Sequence, residues 1–276
     1  MTLPFLPSDA ALLALQAGVV AAPRPVSRVK LFGRLQSRWW ALVPAGSIVA
    51  VIFAIRFASD TAAGLTWLAL VAVPPLAAAA LAWAARASDG GSQARLVGGV
   101  LAAGALFALA ALLRGSLVGE AAAALLSALS CVTLGVLLAA LTPPSWLKIG
   151  IVAMAVGDTW LVVSDLLQAP NSTLVAARPA AGLPRLQSEA FGSVSMGYGD
   201  MFVAGLLGAV MARHRARQRA AALLTLLLAS ALDVLFLVVN ELPATVPVAV
   251  ALIVIEMVSA ARRRSQRADA LPRRAT

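Results

Sequence analysis

Three aspartates stand where an apolar chain has least use for charge. Asp158 lies in AMAVGDTWLVV (153–163), Asp200 in SMGYGDMFVAGLLGAV (195–210), and Asp233 in the apolar run 220–240. A carboxylate at membrane depth is costly to keep there, and such residues mark substrate paths, proton relays or catalysis. Asp158 falls about eleven residues into the run 147–168, which at ~1.5 Å per residue is roughly 16 Å, near a bilayer midplane. Asp200 and Asp233 are expected to be similarly central in 191–212 and 220–240. No lysine or arginine stands at these depths. The acids must therefore face one another, other polar groups or water. Two carboxyls in one site cannot both ionise cheaply, so one keeps its proton while the other is a base. That combination suits hydrolysis of a peptide bond: the ionised member deprotonates a water and the protonated member polarises the carbonyl. The glycines of GYGD fit this picture, because small residues allow close helix approach or local unwinding beside the acid.

The other ionisable residues suggest plainer roles. Asp165 lies two turns beyond Asp158 on the same helical face, near the outer end. Arg56, Glu120 and Glu256 lie closer to span ends, where side chains reach water or headgroups, and read as structural. The single cysteine, Cys131, rules out an intrachain disulfide and a cysteine-rich metal site. The single histidine, His214, sits among arginines, so a histidine metal site or a histidine-activated nucleophile has little to draw on. No metal or organic cofactor is expected, since two carboxylates and water suffice for the chemistry.

The elements that position these acids follow from composition. The chain is 61% hydrophobic and 12% charged, with mean hydropathy +0.90; soluble domains carry about a quarter charged residues. An all-α, polytopic transmembrane bundle is expected, because open strand edges in lipid leave backbone groups unpaired. Apolar runs fall at 39–58, 63–85, 95–113, 120–141, 147–168, 191–212, 220–240 and 244–261, giving eight spans. Residues 10–22 are short for a span: they make either a ninth helix entering from outside or an interfacial segment. They lack a basic flank, so a cleaved signal peptide is not expected. The chain then divides into an N-terminal cytoplasmic or interfacial segment with a basic loop (1–38), a four-span N-terminal bundle (39–146), a catalytic helical region (147–261) and a basic cytoplasmic tail (262–276).

The formal net charge of +10 comes from clusters between apolar runs: five Lys/Arg in 24–38, four in 213–219 and six in 262–276. Alternate connections hold few. This is the pattern of cytoplasmic loops, which places both termini in the cytoplasm and implies contact with anionic lipid rather than nucleic acid. The Ala-, Leu- and Arg-rich composition resembles that of GC-rich bacteria, suggesting a prokaryotic plasma membrane. Pro74 and Pro75 are expected to kink the span 63–85. Pro243 and Pro247 in ELPATVPVAV (241–250) open the last span with unpaired backbone groups, a place to hold an extended peptide. The connection 169–190, with Pro170, Pro179 and Pro184, reads either as a gate or as a solvated connector.

Taken in order, AVGDTWLVV, GYGDMFVAGLLG, one intervening span and then LPATVP resemble the presenilin and signal peptide peptidase family of intramembrane aspartyl proteases, here a bacterial- or archaeal-like member. That family carries Tyr-Asp in one helix, Gly-X-Gly-Asp in the next and Pro-Ala-Leu at the head of its last. The resemblance covers residues 147–261. It implies Asp158 and Asp200 as the catalytic pair, with Gly157, Gly197, Tyr198 and Gly199 shaping the site. Leu242, Pro243 and Ala244 take the place of the Pro-Ala-Leu element. Gly157 stands where the family has tyrosine, Tyr198 occupies the variable place of the second motif, and Thr245 stands where the family has leucine. The implied activity is hydrolysis of peptide bonds within transmembrane segments or signal peptides. The loop charges place the 169–190 connection outside, the signal peptide peptidase arrangement, so the substrates would be single-pass segments with a cytoplasmic N-terminus. Three alternatives stand beside it. One is a proton- or cation-coupled transporter using Asp158, Asp200 and Asp233, although no internal repeat is evident. Another is a type IV prepilin peptidase-like enzyme, although paired cysteines are absent. The third is a catalytically silent scaffold. Asp233 has no role in the protease reading.

Overall fold

The computed structural model describes residues 5–25, 59–85, 92–164, 183–237 and 243–269, with isolated positions at 37, 39, 42, 46 and 177. The expected span 39–58 with Arg56, then Asp165, Leu242, Pro170, Pro179 and residues 270–276 of the tail, fall outside the described residues or almost wholly so. Among the described residues, the short segment 10–22 and seven of the expected apolar runs give helices: α1 (Phe5–Ala21), α2 (Ser59–Ala84), α3 (Ser92–Leu112), α4 (Leu117–Leu141), α5 (Pro144–Val163), α6 (Tyr198–Met211), α7 (Arg215–Leu232) and α8 (Thr245–Asp269). Six of them, α2, α3, α4, α5, α7 and α8, are long and apolar enough to cross a membrane. This is a helical, multi-pass bundle. Helix α2 remains helical through Pro74 and Pro75.

One run departs from expectation. Residues 191–212 do not form a single helix, because the first seven belong to a hairpin of β1 (Ser188–Phe191) and β2 (Val194–Gly197). The strands are antiparallel, pairing Ser188 with Gly197 and Phe191 with Val194. Gly192 makes the turn at φ 61, a left-handed conformation that a side chain resists. Two neighbours hold that turn. The Glu120 carboxylate accepts the Gly192 amide at 2.8 Å, and the Ser8 hydroxyl accepts that of Ser193 at 3.3 Å. Helix α6 starts only at Tyr198 and has 14 residues, roughly 21 Å and too short to cross alone.

Helix α4 gives the scale for depth. Its 25 residues are the most buried of the spanning helices, and they divide between two cores. One half packs with α2 and α3 around Leu126, Val73 and Ala103; the other packs with α1, α5, α6, α7 and α8 around Cys131, Met201 and Leu207. Tyr198, the first residue of α6, meets α4 at Ser130 and Cys131. Those positions lie roughly 20 Å from Leu117 and roughly 16 Å from Leu141. The hairpin thus accompanies one half of α4 and α6 the other. The lower contact is tight because both partners are glycine. A Cβ on Gly135 would meet the Gly205 carbonyl carbon at 2.5 Å, and one on Gly205 would meet the Cys131 oxygen at 2.5 Å.

Helix α1 is a full member of the bundle, packed along α6 and α7 with Leu12, Leu13, Val19 and Val20 buried. Its head lies beside the hairpin turn and Asp233, and its foot beside Gly208 and the start of α7. Phe5 and Asp269 consequently lie at opposite ends of the bundle, where one cytoplasmic side for both termini was expected. Charge is unevenly distributed along the same axis, with Arg114 and Arg185 toward the acidic end and Glu256 beside Lys148 as the exceptions. Arg24, Lys148, Arg213, Arg215, Arg217, Arg219 and the foot of α8 occupy one end. Asp9, Glu120, Asp158, Glu189, Asp200 and Asp233 gather toward the other.

Candidate active site

Three elements converge toward the acidic end. Helix α5 brings Gly157 and Asp158 about one and a half turns before its end. Helix α6 brings Tyr198, Gly199 and Asp200 in its first turn, and α8 brings Thr245 as its first residue, behind Pro243 and Ala244. Neither aspartate is central in its own helix, as had been expected. The α5 run ends at Val163 instead of 168, and α6 begins at Tyr198 because Gly192 turns the preceding chain into a hairpin. Depth comes instead from the register of α6 on the middle of α4.

Asp158 Oδ2 accepts a 2.6 Å hydrogen bond from the Thr245 hydroxyl, and the Thr245 amide is directed at the same carboxylate. Asp200 Oδ2 accepts the Gly197 amide at 3.2 Å. That contact explains Gly197, since a Cβ there would stand 3.0 Å from the same oxygen. The Asp158 and Asp200 carboxyls, brought from different helices, lie close enough to sense each other's charge. Beside them the site is open: a Cβ on Gly157 or Gly199 would meet nothing within 4 Å. Tyr198 turns its hydroxyl to Ser130 of α4 at 2.6 Å, so it anchors the start of α6. The Pro243 carbonyl accepts the Val246 amide at 3.1 Å, and the Ala244 carbonyl accepts Gln16 Nε2 at 3.2 Å. Helix α1 thereby steadies the head of α8.

Asp233 does not join the pair. It follows α7 in a short 3-10 turn and lies against Asp9 of α1. Glu256 forms an ion pair with Lys148 at 2.8 Å, tying α8 to α5. Residue spacing had not pointed to Glu189. It is fully buried on β1, and neither carboxylate oxygen has a hydrogen-bond partner among the described residues. Burial pushes its carboxyl well above the usual carboxylate range, and the nearby Asp200 adds to that. Its signal in the sequence was a lone acid in SEAF, ahead of the GYGD motif. Among the described residues no group of three or more His, Cys, Asp or Glu is placed to hold a metal.

The class that the fold defines is a multi-pass helical membrane protein. Comparison with protein-family models, curated proteins and solved structures finds no match for this chain. A functional reading therefore rests on the motifs and the geometry of the chain itself.

Proposed function

We propose that this chain is an intramembrane aspartyl protease of the presenilin and signal peptide peptidase kind, cutting single-pass transmembrane segments or signal peptides. The observation that carries the reading is the approach of Asp158 and Asp200, from separate helices, beside the head of α8. The order of the three motifs, by which the chain resembles that family, supports it further.

In this reading Asp158 is the base, because its carboxylate is the one supplied with a hydroxyl and an amide from Thr245. It takes a proton from water as the water oxygen attacks the scissile carbonyl carbon. Asp200 gives its proton to the carbonyl oxygen. As the tetrahedral intermediate collapses and the C–N bond breaks, Asp158 gives its proton to the leaving nitrogen and Asp200 takes one back from a gem-diol hydroxyl, which restores both acids. The open flanks of Gly157 and Gly199 leave room for an extended backbone next to both acids. A substrate helix must unwind to offer its carbonyl, because its own hydrogen bonds otherwise protect it. The hairpin supports entry of water: non-helical backbone at membrane depth survives only inside protein or along a watered cavity.

The uneven distribution of arginine supports an orientation with the basic end in the cytoplasm of a prokaryotic cell and the acids toward the outer side. Helix α1 then enters from outside, while the tail after α8 is cytoplasmic. Asp233, held by Asp9, serves the packing of α1 on α7. The test is cleavage of a fluorescent single-pass reporter by purified protein in detergent. Asp158→Asn and Asp200→Asn are expected to abolish cutting and Asp233→Asn to retain it. Cutting that survives either of the first two changes would sink the pairing. Proton flux into liposomes that depends on Asp233 would favour the transporter reading instead.

A further inference from the structure

At the end opposite the acids, α4 and α6 finish, α5 starts and the chain leaves α1. Between them lies a cavity of about 120 Å³. Its lining joins Arg24 and Arg213 to apolar residues, Val136, Leu147 and Val210 among them. Neither arginine has an acidic partner among the described residues, where the ion pair is Lys148 with Glu256. Thr142 also lines the cavity; it is 3% exposed, and its hydroxyl has no hydrogen-bond partner among the described residues. The start of α5 adds a partial positive charge, since Pro143 precedes it without a side-chain cap. Two exposed tryptophans place this region in a membrane. Trp146 stands in the first turn of α5, and Trp39 lies two residues beyond Ser37, whose amide bonds the Leu141 carbonyl. Rings of this kind settle at the headgroup level.

We infer that this cavity binds the phosphate of an anionic phospholipid headgroup, with Arg24 and Arg213 on the phosphate, Thr142 as a hydroxyl donor and an acyl chain along the apolar wall. Two cations around a small cavity match a phosphodiester, and the apolar residues beside them favour a lipid over a free anion. The site ties the chain after α1 to the ends of α4, α5 and α6, so occupancy would brace the bundle from its basic end. Nothing in this proposal depends on the acids or on proteolysis.

The test is native mass spectrometry of the full chain in detergent, titrated with phosphatidylglycerol or phosphatidylcholine and, separately, with inorganic phosphate as competitor. Phosphatidylglycerol should be retained in preference to phosphatidylcholine and should resist phosphate. The double variant Arg24→Gln/Arg213→Gln should lose roughly tenfold or more in affinity. The control Arg217→Gln/Arg219→Gln, which removes the same charge at the same end, should lose less than about twofold. Thr142→Val, which keeps the shape of the side chain, should lose a few-fold. Equal loss in the control would overturn the site in favour of diffuse attraction. Equal retention of phosphatidylcholine would overturn the charge assignment, and displacement by inorganic phosphate would make it a free-anion site.

Discussion

The two ends of the bundle treat buried polar groups in opposite ways. At the basic end, the fully buried Gln218 gives its amide nitrogen to the carbonyls of Val20, Pro23 and Gly208 at 3.0, 2.8 and 3.2 Å, and takes Arg215 on its oxygen at 2.8 Å. One side chain thus closes the foot of α1, the end of α6 and the start of α7. Toward the acidic end most of the unmet atoms collect: Gln16 Oε1, Gln187 Oε1, both oxygens of Glu189 and Asp233 Oδ2 have no partner among the described residues, with Thr142 Oγ1 at the basic end and Thr225 Oγ1 in α7 as the exceptions. An unmet buried polar atom costs about 1–3 kcal/mol, and evolution removes such atoms where they serve nothing. The contrast separates an end tied together around Gln218, with one small cavity at Arg24, Thr142 and Arg213, from an end that leaves more of its buried polar atoms unmet. A hydrolase of membrane segments requires that asymmetry, since water and an unwound backbone must be accommodated on one side without loosening the other.

Removing either acid should break the contrast most completely. Asp158→Asn or Asp200→Asn should lower reporter cleavage by about 10³-fold or more while leaving the thermal midpoint close to wild type. A variant that unfolds as well would show the acids to be structural, and the two ends would then differ in stability alone. The next largest effect should lie where α4 and α6 cross. Gly205→Val sets a branched side chain against the Cys131 carbonyl and should cost about 3 kcal/mol or prevent folding. Gly199→Ala, whose Cβ would meet open space, should fold as wild type and so distinguishes packing glycines from site glycines. At the basic end, Gln218→Ala should lower stability by about 2 kcal/mol with cleavage per folded molecule unchanged. At the open end, Thr245→Val should do the reverse, cutting kcat by about tenfold at near-native stability, with Thr245→Ser restoring most of it.

Much of this organisation was legible in the sequence, and the rest was hidden for physical reasons. Six apolar runs were read as helices, their starts closely and the ends of the last two less so, because lipid forces a run of that length to satisfy its own backbone. The alternation of arginine-rich and arginine-poor connections matched the directions of the described helices. The break at 191–197 was not legible. Phe191, Val194 and Met196 are as apolar as helix residues, and only Gly192 and Gly197 hint at a turn. The hairpin forms because Glu120 and Ser8, remote in sequence, receive its turn amides. Thr245 was visible as a departure from the Pro-Ala-Leu pattern. Its bond to Asp158 needed the three-dimensional meeting of α5 and α8. Gln16 carried no periodic or motif signal, and Glu189 only that of a lone acid ahead of GYGD, since their meaning lies in what surrounds them.

Glu189 allows the finest test of the open end, because its effect should appear as a slope rather than a loss. Its carboxyl is raised by burial above the ordinary value of 4.5. Above that value the unfolded chain gives up the proton while the folded chain keeps it, so the folded state binds more protons. Stability must then fall as pH rises through the window between the unfolded and folded values. Glu189→Gln removes the titration and keeps the shape. The wild-type thermal midpoint should therefore drop as pH rises above the ordinary carboxylate range, and the variant should drop less. The variant should be the more stable of the two at the alkaline side. Parallel curves would mean that Glu189 finds a partner in solution, and the acidic end would then be as well satisfied as the basic one. Divergent curves with unchanged cleavage would place Glu189 in the hairpin's packing. Divergent curves with a shifted pH–rate profile would place its proton within reach of Asp200, making the hairpin part of the catalytic apparatus as well as its support.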